Sequence, residues 1–343
     1  MRVAIMTGGG DCPGLNAIIQ AIVIKCDEMG YEVLGILDGY AGLLSGDVKS
    51  LSIKDVEGIL EQGGTILGTS RVNPVKKEED AQKTLENIKK MGIDALIAIG
   101  GDDTLGAAFK LYQRGLPIVG IPKTIDNDLS ATDYSTGFQT AVEIAAEAIS
   151  RLHTTAKSHK RVIVVEVMGR YAGWITLMAG LAGGAHIILI PEKPFNIEEV
   201  CKIIKEREAR GKTYTIIAVA EGAKPEKVED FVTVSQARDE FGHVRLGGIA
   251  EVLEKEIEKR TGKETRSVVL GHVQRGGPPI AFDKILGIRL GLHAIELVKK
   301  GMFGYAVCLR GTEIVSVPLE NVVEKQKLVP KELFDLTNIF NFM

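Results

Sequence analysis

The stretch that most constrains this fold runs over residues 100–129, GGDDTLGAAFKLYQRGLPIVGIPKTIDNDL. The apolar run at 95–99 leads into it and predicts a buried strand. Gly100, Gly101, Asp102, Asp103 and Thr104 then turn into a helical pattern through about residue 113. A second apolar run, 116–121, predicts the next strand, which ends in Lys123, Thr124, Ile125, Asp126, Asn127 and Asp128. Strand, helix and strand in this order build a parallel sheet, and ligands of such sheets sit beyond the strand C-termini. Paired glycines before a helix let backbone N–H groups approach a phosphate. The carboxylates gathered at the same two strand ends call for a cation. Mg²⁺ suits them, because it takes one or two carboxylates plus phosphate oxygens. The alternative is a pair of ordinary turns in which aspartates cap helices.

The chain has 343 residues, room for roughly two domains. Its net charge of −3 gives no reason to expect nucleic acid, so anionic partners must be small and held by local cationic pockets. Cys12, Cys26, Cys201 and Cys308 are scattered without metal-ligand spacing and read as reduced cytoplasmic thiols. The chain opens on a strand pattern, so no signal peptide is expected. The uncharged run 171–191 is long enough to raise a membrane span, but Gly183, Gly184 and His186 interrupt it. It predicts a buried helix, a turn and a buried strand.

In chain order, a strand over 3–6 enters the turn Thr7-Gly-Gly-Gly-Asp-Cys-Pro-Gly14, and a helix follows over 15–29. The turn lacks the GxGxxG spacing and the Walker lysine, so it is either a phosphate turn or a plain strand-to-helix connection. A strand at 31–37, a short helix at 53–61 and a charged amphipathic helix at 78–91 come next. Between the last two, Arg71 follows a glycine and two hydroxyl residues, a sequence that can hold phosphate. A long helix over about 140–153 leads to strands at 161–167, 185–190, 214–220 and 267–270, so the second half repeats the α/β architecture. Two such lobes face each other across a cleft. The second lobe carries Met168, Gly169 and Arg170 after one strand, Glu221 after another, and His272 and Arg275 after a third. Arg161 and Arg266 open two of these strands. Guanidinium forks match phosphate geometry. Acidic residues with Mg²⁺ on one lobe and arginines on the other point to phosphoryl transfer onto a phosphorylated acceptor. The polar segment 224–245 reads as a surface loop or a small addition.

At residues 100–102 (GGD), 124–128 (TIDND), 168–173 (MGRYAG) and 271–277 (GHVQRGG) the chain resembles the 6-phosphofructokinase family. The match runs from residue 7 to about 298. The resemblance implies an α/β fold of two Rossmann-like three-layer lobes with mostly parallel sheets facing a central cleft. It places a phosphoryl-donor lobe at 1–137 plus about 274–323, and a sugar-phosphate lobe at 138–273 plus about 324–343. The implied reaction is transfer to O1 of fructose 6-phosphate in glycolysis, with Mg²⁺. Asp126 resembles the general base, Thr124 and Arg170 its catalytic companions, and Asp102 the metal carboxylate. Thr124, Ile125, Asp126, Met168, Gly169, Arg170, Glu221, His272, Val273, Gln274 and Arg275 resemble sugar-phosphate contacts from one subunit. Arg161 and Arg266 resemble arginines that reach in from a neighbour, which implies a homodimer or homotetramer. Gly9, Gly10 and Arg71 resemble donor contacts.

Two positions bear on the donor. Members that use ATP resemble GGDG and PGTIDND, whereas Asp103 and Lys123 here match the members that use pyrophosphate. An aspartate fills the room glycine leaves for a nucleotide and adds like charge, while lysine suits a compact, highly charged donor. At the positions of the arginine-lined effector pocket of regulated relatives, this chain has Gln20, Ile24, Ile53 and His153. The resemblance therefore implies no control by ADP or phosphoenolpyruvate.

Overall fold

Four consecutive apolar residues, Val3 to Met6, must be covered on both faces when the chain extends. In the computed structural model, which describes residues 1–226, 233–238 and 244–339, they are. Val3 and Ile5 join one apolar cluster, and Ala4 and Met6 join another on the opposite face. The alternation is what a strand sandwiched between two helical layers requires.

This strand, β1 (Arg2–Thr7), is followed by α1 (Leu15–Glu28), β2 (Glu32–Ile36), α2 (Tyr40–Ser45) and β3 (Val48–Leu51). Next come α3 (Glu78–Lys90), β4 (Ala95–Gly100), α4 (Asp102–Gln113), β5 (Ile118–Pro122) and α5 (Phe138–His159). The middle of the chain gives β6 (Val162–Val167), α6 (Trp174–Ala182), β7 (Ile187–Leu189), α7 (Ile197–Ala209) and β8 (Thr215–Ala220). A two-stranded antiparallel ribbon, β9 (Thr233–Arg238) and β10 (Val244–Leu246), precedes α8 (Ile249–Thr261) and β11 (Thr265–Val269). The last long helix, α9 (Ala281–Lys299), leads to β12 (Tyr305–Arg310) and β13 (Glu313–Pro318).

The larger sheet has the order β13-β12-β5-β4-β1-β2-β3, parallel inside with an antiparallel strand at each edge. The smaller sheet, β11-β6-β8-β7, is wholly parallel. One apolar cluster runs between the sheets. It takes Ile97 and Ile99 from the larger sheet, Ile163 and Val165 from the smaller one, and Ala141 and Ala145 from α5 between them. The two halves are thus built on a shared core, and their strand C-termini face a common cleft.

Several elements differ from expectation for local reasons. The helix expected over 53–61 is two 3₁₀ turns, Ile53–Val56 and Ile59–Glu61, because Gly58 between them is left-handed at φ 75°. The helix expected over 140–153 is longer at both ends. Asp283 caps its start, accepting Gly137 N at 2.9 Å and Thr140 N at 2.8 Å. The uncharged run 171–191 folds as α6, a turn and β7, and no helix among the described residues is long and apolar enough to cross a membrane. Of the polar segment 224–245, the described part is 224–226, β9 and the start of β10; residues 227–232 and 239–243 lie outside the described residues.

A tight seam joins α1 to α9. A Cβ added at Gly291 would lie 2.8 Å from the carbonyl oxygen of Ile18, and one at Gly287 3.0 Å from that of Gly14. Glycine is needed there because the helices meet backbone to backbone.

Candidate active site

Three strand ends converge at the C-terminal edge of the larger sheet. Gly8 N donates to the carbonyl of Ile99 at 2.9 Å, so the turn after β1 lies directly against the end of β4. Thr104 at the start of α4 fills the space between. Its Oγ1 would be 2.7 Å from a Cβ at Gly8 and its Cβ 2.3 Å from one at Gly100. Both glycines are therefore required by close approach. Arg275 stacks over the same turn, where a Cβ on Gly10 would meet its Nη1 at 2.5 Å. That nitrogen donates to the carbonyl of Asp11 at 3.1 Å.

The resulting cleft is lined by Gly9, Gly10, Arg71, Asp102, Asp103, Lys123, Thr124, Asp126, Arg170 and Arg275. Lys123 is buried, and its ammonium donates to the carbonyl of Gly10. Burial pulls its pKa below the usual lysine value, with the nearby Arg275 guanidinium acting in the same sense. Asp103 sits in the first turn of α4 beside Asp102.

Asp126 is only 5% exposed, and its Oδ1 has no hydrogen-bond partner among the described residues. A buried carboxylate oxygen left open in a cleft is suited to accept a proton or face a cation. The loop that carries it is stiff. Thr124 Oγ1 accepts the N–H of Asp126 at 3.1 Å, Ser135 Oγ donates to the carbonyl of Thr124 at 2.6 Å, and Asn127 is left-handed at φ 52°. Asp128 is pushed up to about 7 by burial and then by the charges of Asp126 and Asp102. Carboxylates gathered this closely at two strand ends fit a divalent cation among them. Among the described residues no three acidic, histidine or cysteine side chains close into a cage. The donor set therefore suits an ion that takes its other ligands from phosphate oxygens.

Arg170 comes from the opposite side of the cleft. Burial works against its charge, but Asp126, Asp102 and Asp103 outweigh that and hold it a firmer cation than usual. Its backbone is left-handed at φ 51°, an uncommon state for arginine that costs on the order of 1–3 kcal/mol. Glu221 supports the turn: its Oε1 accepts Gly169 N at 3.3 Å and Arg170 N at 3.0 Å. Burial pushes the Glu221 carboxyl up to about 7.

A family model described as phosphofructokinase matches residues 2–298. The chain belongs to the phosphofructokinase family. The pyrophosphate–fructose 6-phosphate 1-phosphotransferase of Streptomyces coelicolor is 54% identical over 342 residues, covering 99% of each chain. A protein of the same organism named ATP-dependent 6-phosphofructokinase 2 is 52% identical over 337 residues, covering 98% of each. The phosphofructokinase structure from Saccharomyces cerevisiae matches with a TM-score of 0.81 at 33% identity, covering 94% of this chain and 45% of that one.

Not every expected site residue of this phosphofructokinase reaches the cleft. Ile125 turns its side chain into the core. His272 and Val273 lie on an exposed 3₁₀ turn, Gly271–Arg275, whose Gln274 is buried with Nε2 donating to the carbonyl of Gly271 at 3.0 Å. Met168 packs against the shared core. Arg161 and Arg266 sit at the N-terminal ends of β6 and β11, the far ends from Arg170 and His272. Each reaches the same Glu264 carboxylate at 2.7 Å. Tyr40, Ser70, Val72 and Thr104 also line the cleft, and the sequence reading assigned none of them. Thr104 could have been found from its place directly after two glycines and two aspartates. Tyr40, whose hydroxyl donates to the Thr104 carbonyl at 2.9 Å, has no comparable signal.

Proposed function

We propose that this protein reversibly transfers a phosphoryl group from pyrophosphate to O1 of fructose 6-phosphate, giving fructose 1,6-bisphosphate and phosphate. Overall similarity does not choose the donor, because relatives named for either donor are about half identical to it. The observation that carries the choice is Asp103 and Lys123 lining one cleft together. A carboxylate at the first turn of α4 opposes the extended anionic chain of a nucleotide. A buried ammonium beside the turn after β1 favours a compact donor with dense charge.

In this reading Asp126 accepts the proton of the 1-hydroxyl as that oxygen attacks phosphorus. The anhydride bond to the leaving phosphate breaks in line, and Arg170 and Lys123 neutralise charge on the transferring and leaving groups. Thr124 orients Asp126 through its backbone N–H. Asp102 would hold Mg²⁺, which would supply neutralisation of phosphate charge. Arg161 and Arg266 have no route to this cleft along their own strands, which supports their use by a second copy. Residues 1–137 with about 274–323 serve the donor, and 138–273 with about 324–343 serve the sugar phosphate. Four free cysteines, all buried, support a reducing compartment such as the cytoplasm.

The test is an assay of purified protein with fructose 6-phosphate, Mg²⁺ and either donor. Turnover with pyrophosphate and none with ATP is expected. Turnover with ATP alone would overturn the donor assignment and leave an ATP-dependent phosphofructokinase.

A further inference from the structure

Residues 326–329 lie far from every motif above, yet they touch both walls of the cleft. On the side of the Asp126 loop, Leu129 and Gln326 form an antiparallel bridge. Lys327 N donates to the carbonyl of Asp128 at 2.6 Å, and Gln326 Nε2 to Asp128 Oδ2 at 3.3 Å. The Lys327 ammonium reaches the carbonyls of Thr132 at 2.7 Å and Asp133 at 2.8 Å. On the side of the Arg170 turn, Trp174 Nε1 donates to the carbonyl of Lys327 at 2.8 Å, and the Lys327 ammonium lies 5.2 Å from the Trp174 ring centre. Glu192 closes the connection: its Oε1 accepts Val329 N at 3.0 Å and also Gly173 N at 3.0 Å.

We infer that residues 326–329 form a strap that sets Asp126 against Arg170, with Lys327 as its positioning residue. The inference rests on the phosphotransferase reading above. The physical case is that Asp126 and Arg170 come from different sheets and, among the described residues, share no hydrogen bond. The strap is hydrogen-bonded to the loop that carries one and to the turn that leads from the other. Lys327 joins the two sides in one residue, through its backbone N–H, its carbonyl and its ammonium. Its ammonium also lies against Asp133, at the far end of the loop it holds. Phosphoryl transfer depends on alignment of the attacking oxygen, the base and the transferred group, so slack of an ångström between the walls falls on kcat.

The experiment compares the parent with Lys327→Met, Lys327→Arg and Gln326→Leu. Each is assayed at a temperature where melting curves show it folded. The chain's one tryptophan, Trp174, reports the strap by its emission. Lys327→Met is expected to lose about 10- to 100-fold in kcat, with KM for both substrates changed less than about threefold, and its emission shifts to the red. Lys327→Arg keeps the charge and regains part of kcat. Gln326→Leu, at an exposed position, loses kcat by a few-fold. A folded Lys327→Met with kcat within about twofold of an active parent would overturn the inference alone, since a residue that only stabilises the fold lowers Tm without touching turnover. If Lys327→Met does not fold, an unchanged kcat in Gln326→Leu overturns it instead. A parent inactive with every donor would remove the phosphotransferase reading and the inference with it.

Discussion

Lys123 donates through its ammonium to the carbonyl oxygen of Gly10, joining the end of β5 to the turn after β1. The bond holds a buried cation at the floor of the cleft, where Asp103 also faces. Replacing both residues, as Asp103→Gly with Lys123→Gly, is expected to lower kcat/KM for pyrophosphate by about 10²-fold or more, the scale on which a buried charge partner is lost. Gain of ATP use should be smaller, because the walls beyond Asp103 are unchanged. Steady-state kinetics with both donors check this, and an unaltered pyrophosphate kcat/KM would contradict it.

Asp126 presents an open carboxylate oxygen in a stiff loop. Asp126→Asn keeps the shape and removes the base, so kcat should fall by about 10²–10⁴-fold with a smaller change in KM. Single-turnover rates measured with saturating substrates decide the point. A variant within a few-fold of the parent would exclude Asp126 as the base.

Arg161 and Arg266 meet on Glu264 at the far ends of their strands. If they complete a second copy's site, two inactive variants can rescue each other. Arg161→Ala mixed and reassembled with Asp126→Asn should recover about a quarter of parental activity, because half of random dimers are hybrids with one intact site of two. No recovery after verified exchange, or full activity in a monomer, would break the assignment.

These three expectations could be framed before the fold was known: strand-end glycines and aspartates mark the site in a parallel α/β chain, and the roles of base, donor determinants and neighbour-reaching arginines came from the resemblance to the 6-phosphofructokinase family. The alternation of β1, β4 and β5 and the positions of Asp102, Asp126 and Arg170 were legible in the same way. Other features were not. The hairpin β12–β13 is built from residues that carry no motif, and its place beside β5 depends on a long-range pairing. Tyr40 enters the cleft only because α2 brings its hydroxyl onto the Thr104 carbonyl in the first turn of α4. The strap at 326–329, Gln-Lys-Leu-Val, carries no motif in sequence, and its meaning depends on Trp174 and Glu192, more than 130 residues earlier. Gly58 was readable as a helix breaker, and it splits the helix expected over 53–61.

Asp128 gives a pH dependence with a definite sign. Its carboxyl is pushed up to about 7, first by burial and then by Asp126 and Asp102. Between roughly pH 4 and 7 the folded protein keeps this proton while the unfolded chain releases it, so the contribution to stability is complete below the ordinary carboxyl range and is lost as pH rises through about 7. Asp128→Asn cannot ionise. In metal-free buffer it should melt above the parent at about pH 8, with the advantage shrinking toward about pH 5. Calorimetry at the two pH values tests this, and an equal difference at both would contradict it.

The positions matched to an effector pocket offer no grip for phosphate. Gln20 Nε2 is committed to the carbonyl of Val56 at 2.7 Å, and Ile24 and Ile53 are exposed aliphatic side chains. His153 has both ring nitrogens engaged, one with Tyr214 Oη at 3.1 Å and one with the Gly183 carbonyl at 2.9 Å. Fructose 6-phosphate saturation should therefore be hyperbolic and unmoved by ADP or phosphoenolpyruvate, since a ligand without differential affinity shifts no equilibrium. Sigmoidal curves relieved by ADP would show that these side chains rearrange into a binding site.

The glycine seam between α1 and α9 has a mechanical consequence. α1 starts from the turn that holds Gly9 and Gly10, and α9 follows soon after the turn that holds Arg275. Helices locked backbone to backbone behave as a single lever, so Arg275 travels with Gly10 whenever the molecule breathes. The donor-side wall of the cleft is thus one body, carrying the Gly10 turn and Arg275 together against the Arg170 side.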